Sequence, residues 1–179
     1  MNECGQITIK PSTIDDFEDY YQIKCGDSDI YWMGFSSAPQ RETLYSCFLT
    51  RLGDKPFHQI GDKRIYMIQR DRQSVGYIQF SLEEEGLRFG VSMDGRFQGK
   101  GYATAGMEEA IRIAKRYSDE LFTYIRDDNI ASQKLFLRLH FTRTDTVLMR
   151  EYPRVGKIPY RKYIMFHAPE EVMAAAENR

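Results

Sequence analysis

Cysteine is nearly missing from this chain: Cys4, Cys25 and Cys47 are three in number, far apart and without a C-x-x-C pair. An odd, scattered set argues against a disulfide framework and offers no zinc-ligand spacing, so reduced thiols are expected. Histidine is as scarce, with His58, His140 and His167 on no recognisable catalytic spacing. No apolar run approaches the roughly 20 residues that a membrane-spanning helix needs, and Met1-Asn2-Glu3-Cys4 does not begin like a signal peptide. An excess of one charge is lacking too, since 25 Lys and Arg face 26 Asp and Glu. No net field therefore draws the protein to nucleic acid or to an anionic membrane. Internal repeats and low-complexity segments are also absent. A single domain over 1–179 is expected, cytoplasmic, long enough to bury a core and choosing its partners locally, with 170–179 a frayed or helical tail.

What the sequence does contain is concentrated around its glycines. Leu87, Phe89, Val91 and Met93 alternate with Arg88, Gly90, Ser92 and Asp94, the period of a strand. Ala103, Met107, Ala110, Ile111 and Ala114 then recur at helical spacing. Between the two, Gly99 and Gly101 let the backbone turn tightly and bring its N–H groups close to a ligand, and the following helix start adds unpaired donors and positive dipole character. A strand, glycine turn and helix in that order make a phosphate site. Spacing decides which phosphate. A P-loop needs four residues between its glycines and a hydroxyl after the lysine, whereas three residues separate Gly95 from Gly99 and Gly101 follows Lys100. A dinucleotide fingerprint fits weakly, because Gly99-Lys100-Gly101-Tyr102-Ala103-Thr104 ends in threonine and no second βαβ half is present.

The pattern that does fit is Q/R-x-x-G-x-G/A, met by Gln98, Gly101 and Ala103, and in this the chain resembles the GNAT N-acetyltransferase superfamily. The stretch from Phe89 to Thr104 is most similar to the branch with the ribosomal-protein N-terminal acetyltransferases, with Asp94-Gly95 where Asp-Pro is common. A second landmark, from Asn129 through Ser132, Leu135 and Phe136 to Phe141, resembles the superfamily's N-x-x-S/A-x-x-L-Y-x-x-x-G-F signature. The resemblance implies a mixed α/β fold with a mostly antiparallel sheet flanked by helices and a strand-loop-helix pyrophosphate site. It implies acetyl-CoA as cosubstrate and no metal. The implied cofactor-binding set is Val91, Ser92, Met93, Gln98, Gly99, Lys100, Gly101, Tyr102, Ala103, Thr104, Asn129 and Ser132. It further implies an amine acceptor, either a small molecule such as an amino sugar or a protein N-terminus, with no nucleic acid and no membrane partner, in a monomer or homodimer.

The order of elements follows from periodicity and turn chemistry. A strand is expected over 6–10, a helix over 15–24, an aromatic loop including Tyr31-Trp32-Met33-Gly34-Phe35, and a helix over 40–51. Strands over 65–69, 75–82 and 87–93, with turns at 70–73 and 83–86, form an antiparallel meander. A helix over 101–117, a strand over 121–126, a helix capped by Asn129 and a final strand pair over 141–150 and 160–167 complete it.

Catalytic residues stay unassigned at this level. Phe136 stands where the superfamily's thiolate-protonating tyrosine falls, and phenylalanine donates no proton. Glu83, Glu84 and Glu85 read as a solvated turn, and Arg88 holds a strand position often acidic in the resembled branch. Two functions are carried forward: transfer of acetyl from acetyl-CoA to a primary amine by direct attack, or a catalytically weak acyl-CoA-binding regulatory or interaction module. The aromatic residues Tyr31, Trp32 and Phe35 are expected to border the acceptor cleft, with core packing as the alternative.

Overall fold

Alternating apolar residues after position 62 fold into three long strands, β2 (Lys63–Arg70), β3 (Gln73–Glu83) and β4 (Gly86–Met93), in the computed structural model, which describes residues 6–34, 36–152 and 156–166. They pair antiparallel as a meander. Asp71 and Arg72 form the first turn at φ 48° and 69°, the positive pair of angles that matches the twist of a two-residue hairpin. Strand β1 (Ile7–Pro11) adds to the free edge of β2. Helices α1 (Phe17–Lys24), α2 (Asp27–Met33) and α3 (Arg41–Leu49) lie between β1 and β2 in the chain. After β4 come α4 (Tyr102–Ala114), β5 (Glu120–Arg126), α5 (Ile130–Arg138), β6 (Thr142–Tyr152) and β7 (Gly156–Phe166).

The seven strands form one mixed sheet in the order β1-β2-β3-β4-β5-β7-β6, antiparallel throughout except for β4 against β5. Successive side chains of a strand point to opposite faces, so β2 and β3 feed two cores. Ile68, Ile78 and Phe80 join Met107, Ala110 and Ala114 of α4 and Phe136 and Leu139 from α5 and its end. Ile65, Met67 and Tyr77 join Phe17, Tyr20 and Phe48 of α1 and α3 on the other face. A Cβ at Gly106 would lie 3.1 Å from Ile68 Cδ1, so a small residue there sets how closely α4 approaches the sheet.

The expected mixed fold and meander are observed. One element differs: the aromatic segment read as a loop is largely helix α2. Gly26 in extended conformation opens it, Asp27 and Asp29 complement the dipole in its first turn, and Gly34 at φ 72° closes it. Phe35, His167 and the tail 170–179 lie outside the described residues. At the end of α5, His140 takes the glycine-like conformation at φ 67°, and the Phe141 N–H donates to the Phe136 carbonyl at 3.0 Å. His140 stands at the glycine of the N-x-x-S/A-x-x-L-Y-x-x-x-G-F pattern and closes the helix as a glycine would.

Candidate functional site

Strands β4 and β5 start side by side and then separate. Their register holds for only two pairs, Leu87 with Leu121 and Arg88 with Phe122. The Phe89 carbonyl still reaches β5, accepting from the Thr123 hydroxyl at 3.0 Å. Alternate residues of a strand present their N–H and C=O to opposite edges. Since the Phe89 carbonyl faces β5, the main-chain groups of Val91 and Met93 face the widening gap, while the Asp94 N–H bonds to Val75 in β3 at 3.0 Å. Ladder-competent groups thus point into a space without a partner strand.

The gap leads to the glycine turn. Asp94 accepts from the Arg96 N–H at 2.9 Å and from its guanidinium at 2.6 Å, which holds the Asp94 carboxyl below its usual range. Arg96 is therefore committed to this turn. The Gln98 amide donates to the Ser28 hydroxyl of α2 at 2.8 Å and to the Met93 carbonyl at 3.3 Å, tying the loop to both neighbours. Gly99 and Gly101 adopt φ 73° and 83°, which L-residues with a Cβ adopt at a cost of about 1–2 kcal/mol. A Cβ on either would meet nothing within 4 Å. Gly101 is the N-cap of α4, so no side chain closes over the first N–H groups of the helix.

These elements enclose a cleft of about 410 Å³. Val91, Ser92, Met93, Gln98, Gly99, Gly101, Tyr102, Ala103, Thr104, Asn129 and Ser132 all line it, with Lys134 and Arg138 of α5. Lys100 is placed elsewhere: it is exposed, with its ammonium 5.4 Å from the Phe97 ring centroid. Asn129 caps α5, its side-chain oxygen accepting from the Ser132 N–H at 3.0 Å.

A second cleft of about 210 Å³ opens on the other side of the splayed strand, between β4, β5 and the ends of β6 and β7. Asp29, Trp32, Val91, Ser92, Asn129 and Ser132 line both clefts, which makes them the boundary between the two. Trp32 is half-buried and belongs to neither core. Tyr31 is 58 % exposed and its ring lies edge-on to Trp32. Phe136 also lines the second cleft, yet it is 1 % exposed and packs edge-to-face on Phe141 at 5.0 Å. Phe136→Leu should accordingly cost about 1–2 kcal/mol of stability while turnover per folded molecule changes less than about tenfold. Denaturant melts set beside single-concentration rates check it, and a larger fall in rate with stability intact would give the ring an essential role.

Three residues of the second cleft were not legible in the sequence. Buried Asp29 takes the Lys24 ammonium on Oδ2 at 2.7 Å, and the Tyr77 hydroxyl at 3.3 Å and the Ser92 hydroxyl on Oδ1. Burial, with the neighbouring carboxylate, pushes the Tyr77 phenol well above its ordinary value, so it remains a donor. Arg126 forks onto Asp128 at 2.7 and 2.9 Å and donates to the Tyr31 carbonyl at 3.1 Å, with its guanidinium 5.1 Å from both the Tyr31 and Trp32 rings. It fastens the end of α2 across the open side of the gap. Arg150 enters the second cleft from β6. Among the described residues no group of three or more His, Cys, Asp and Glu could hold a metal, and no helix is long and apolar enough to cross a membrane.

A splayed parallel strand pair beside a glycine turn and helix start is the layout of an acetyltransferase domain, and the comparisons agree. Residues 6–142 match the acetyltransferase (GNAT) domain family model, and the chain belongs to this family. No curated protein matches it by sequence. Among solved structures it is similar to RimL, a ribosomal alpha-N-protein acetyltransferase in complex with coenzyme A, at TM-score 0.75 and 18% identity over 89% of this chain and 93% of that one. A ribosomal-protein-alanine N-acetyltransferase from Brucella melitensis gives 0.73 and 17%, over 89% and 99%. Spermidine N-acetyltransferase from Vibrio cholerae, in complex with CoA and spermine, gives 0.75 and 12%, over 90% and 95%.

Proposed function

We propose that the protein transfers acetyl from acetyl-CoA to a primary amine by direct attack, without a covalent enzyme intermediate. The observation that carries this reading is the β4–β5 gap, which joins one cleft ending at Gly99, Gly101 and the α4 start to a second cleft of small-molecule size. The first cleft fits a nucleotide thioester. Its glycines leave open the space a side chain would fill, the α4 N–H groups suit a pyrophosphate, and Lys134 and Arg138 supply positive charge. Val91 and Met93 offer strand-edge N–H and C=O groups to an amide-bearing arm. When bound, acetyl-CoA supplies an activated thioester.

The chain's own contribution is placement and polarisation. The Met93 N–H is the donor that the gap offers to a carbonyl oxygen. Asp29, saturated by Lys24, Tyr77 and Ser92, orients Ser92 and anchors α2. Phe136 has no hydroxyl, so proton movement falls to water or to another side chain of the second cleft, and holding two reactants on either side of one strand supplies the main advantage. Thiol release from acetyl-CoA on addition of amines tests the reading; acetyl-CoA binding without release to any amine would favour the binding-module alternative.

Trp32 separates a cleft wall from a core residue. Trp32→Ala should raise acceptor KM about tenfold, or roughly 1.4 kcal/mol, with a stability loss well below the 3–5 kcal/mol expected for a fully buried ring. Steady-state kinetics beside thermal melts decide; identical acceptor kinetics or gross unfolding would remove Trp32 from the acceptor site.

A further inference from the structure

The second cleft carries a charge imbalance that acetyl transfer by itself does not require. Among the described residues its charged lining is Lys24, Arg88, Arg126 and Arg150 against the one carboxylate of Asp29. Three of these cations have counter-charges: Lys24 has Asp29 at 2.7 Å, Arg88 has Glu83 at 3.0 Å, and Arg126 has Asp128 at 2.7 Å. Arg150 has no acidic partner among the described residues. Its guanidinium lies 4.9 Å from the Tyr160 ring centroid, and a ring face attracts a cation without occupying its five N–H donors. A half-buried arginine whose donors are unclaimed among the described residues, in a cleft whose other cations are already paired, is suited to a carboxylate or a phosphate.

Resting on the acetyltransferase reading, we propose that the acceptor is a small amine that also carries a carboxylate or phosphate, with the anionic group seated on Arg150 and the amine toward Ser92, where the two clefts meet. The cleft's volume of about 210 Å³ matches a molecule of amino-acid or amino-sugar size. A polyamine brings positive charge to a positive wall and is disfavoured by the same electrostatics. A protein N-terminus has its first carboxyl tied up in a peptide bond and so brings no α-carboxylate to Arg150.

Acceptors paired to differ only in charge test this. One pair is an amino acid and its amide, another an amino sugar 6-phosphate and the free amino sugar; spermidine and a C-terminally amidated peptide complete the panel. For at least one pair, kcat/KM should be at least about tenfold higher for the anionic member, expressed mainly in KM, the scale of a charge-assisted hydrogen bond. The pair that shows the preference identifies carboxylate or phosphate as the source. In Arg150→Gln this ratio should fall about tenfold, and Arg150→Lys should restore part of it, while acetyl-CoA Kd by calorimetry stays unchanged. Preference for a neutral amine, spermidine or the peptide overturns the proposal, as does a ratio indifferent to Arg150→Gln. So does a panel in which no anionic amine is bound or acetylated. Wild-type protein that fails to bind acetyl-CoA removes the underlying acetyltransferase reading, whereas intact binding without charge preference removes only the anionic acceptor.

Discussion

In a Gly101→Val protein, acetyl-CoA binding should weaken by about 2 kcal/mol or more, roughly thirtyfold in Kd. The side chain would project into the open space above the α4 start, where a Cβ meets no protein atom within 4 Å, and would occupy the position proposed for pyrophosphate. The N–H groups would remain, but a ligand could no longer approach them closely. The φ of 83° adds backbone strain, costly for a β-branched residue, and this part should appear as a lower melting temperature. Gly101→Ala shares much of the strain but adds less bulk, so comparing the two separates folding from binding. Calorimetry on folded protein, verified by circular dichroism, reads the result; unchanged affinity would remove the pyrophosphate assignment.

The second large effect is expected at Asp29. Its ion pair with Lys24 has side chains only 2% and 8% exposed, so solvent screens it little. Removing one member of a buried pair leaves a charge without the counter-charge that offset its desolvation, and Asp29→Ala should lower stability by about 3 kcal/mol or more. It also removes the acceptor for the Tyr77 and Ser92 hydroxyls. Asp29→Asn keeps the shape and an acceptor oxygen and should lose less. Urea unfolding with unchanged m-value measures this. A loss below about 1 kcal/mol would show that α2 is held by other contacts, with Arg126 the first to examine.

The parts of the site that were legible in the sequence are those whose signal is local. The glycine turn, the alternation of β4, the face of α4 and the Asn129 cap each occupy a short continuous stretch, and each appears where its pattern places it. Helix α2 was not legible because seven residues rich in aromatics carry little helical periodicity, and its stability comes from contacts made far along the chain. Gly26, the two aspartates and Gly34 were the available signal. Asp29 and Lys24 sit on different helices, at a spacing that no single-helix rule pairs. Arg150 lies on β6, which β7 separates from β5, an order that neighbouring strands in sequence do not announce.

The parting of β4 from β5 also bears on how such a chain can diverge. Val91 and Met93 face the gap with main-chain groups, and an amide donates and accepts in the same way whichever side chain follows it. Substitutions along that edge therefore leave its hydrogen-bonding character unaltered, provided that the strand and its separation persist. Mutational drift can accumulate at the rim while the invariant chemistry resides in the backbone, consistent with a shared architecture at 18% identity. On the proposed reading, selectivity for one acceptor over another is free to evolve in side chains such as Trp32 of α2 and Arg150 of β6, which belong to other elements and can be exchanged without rebuilding the strand.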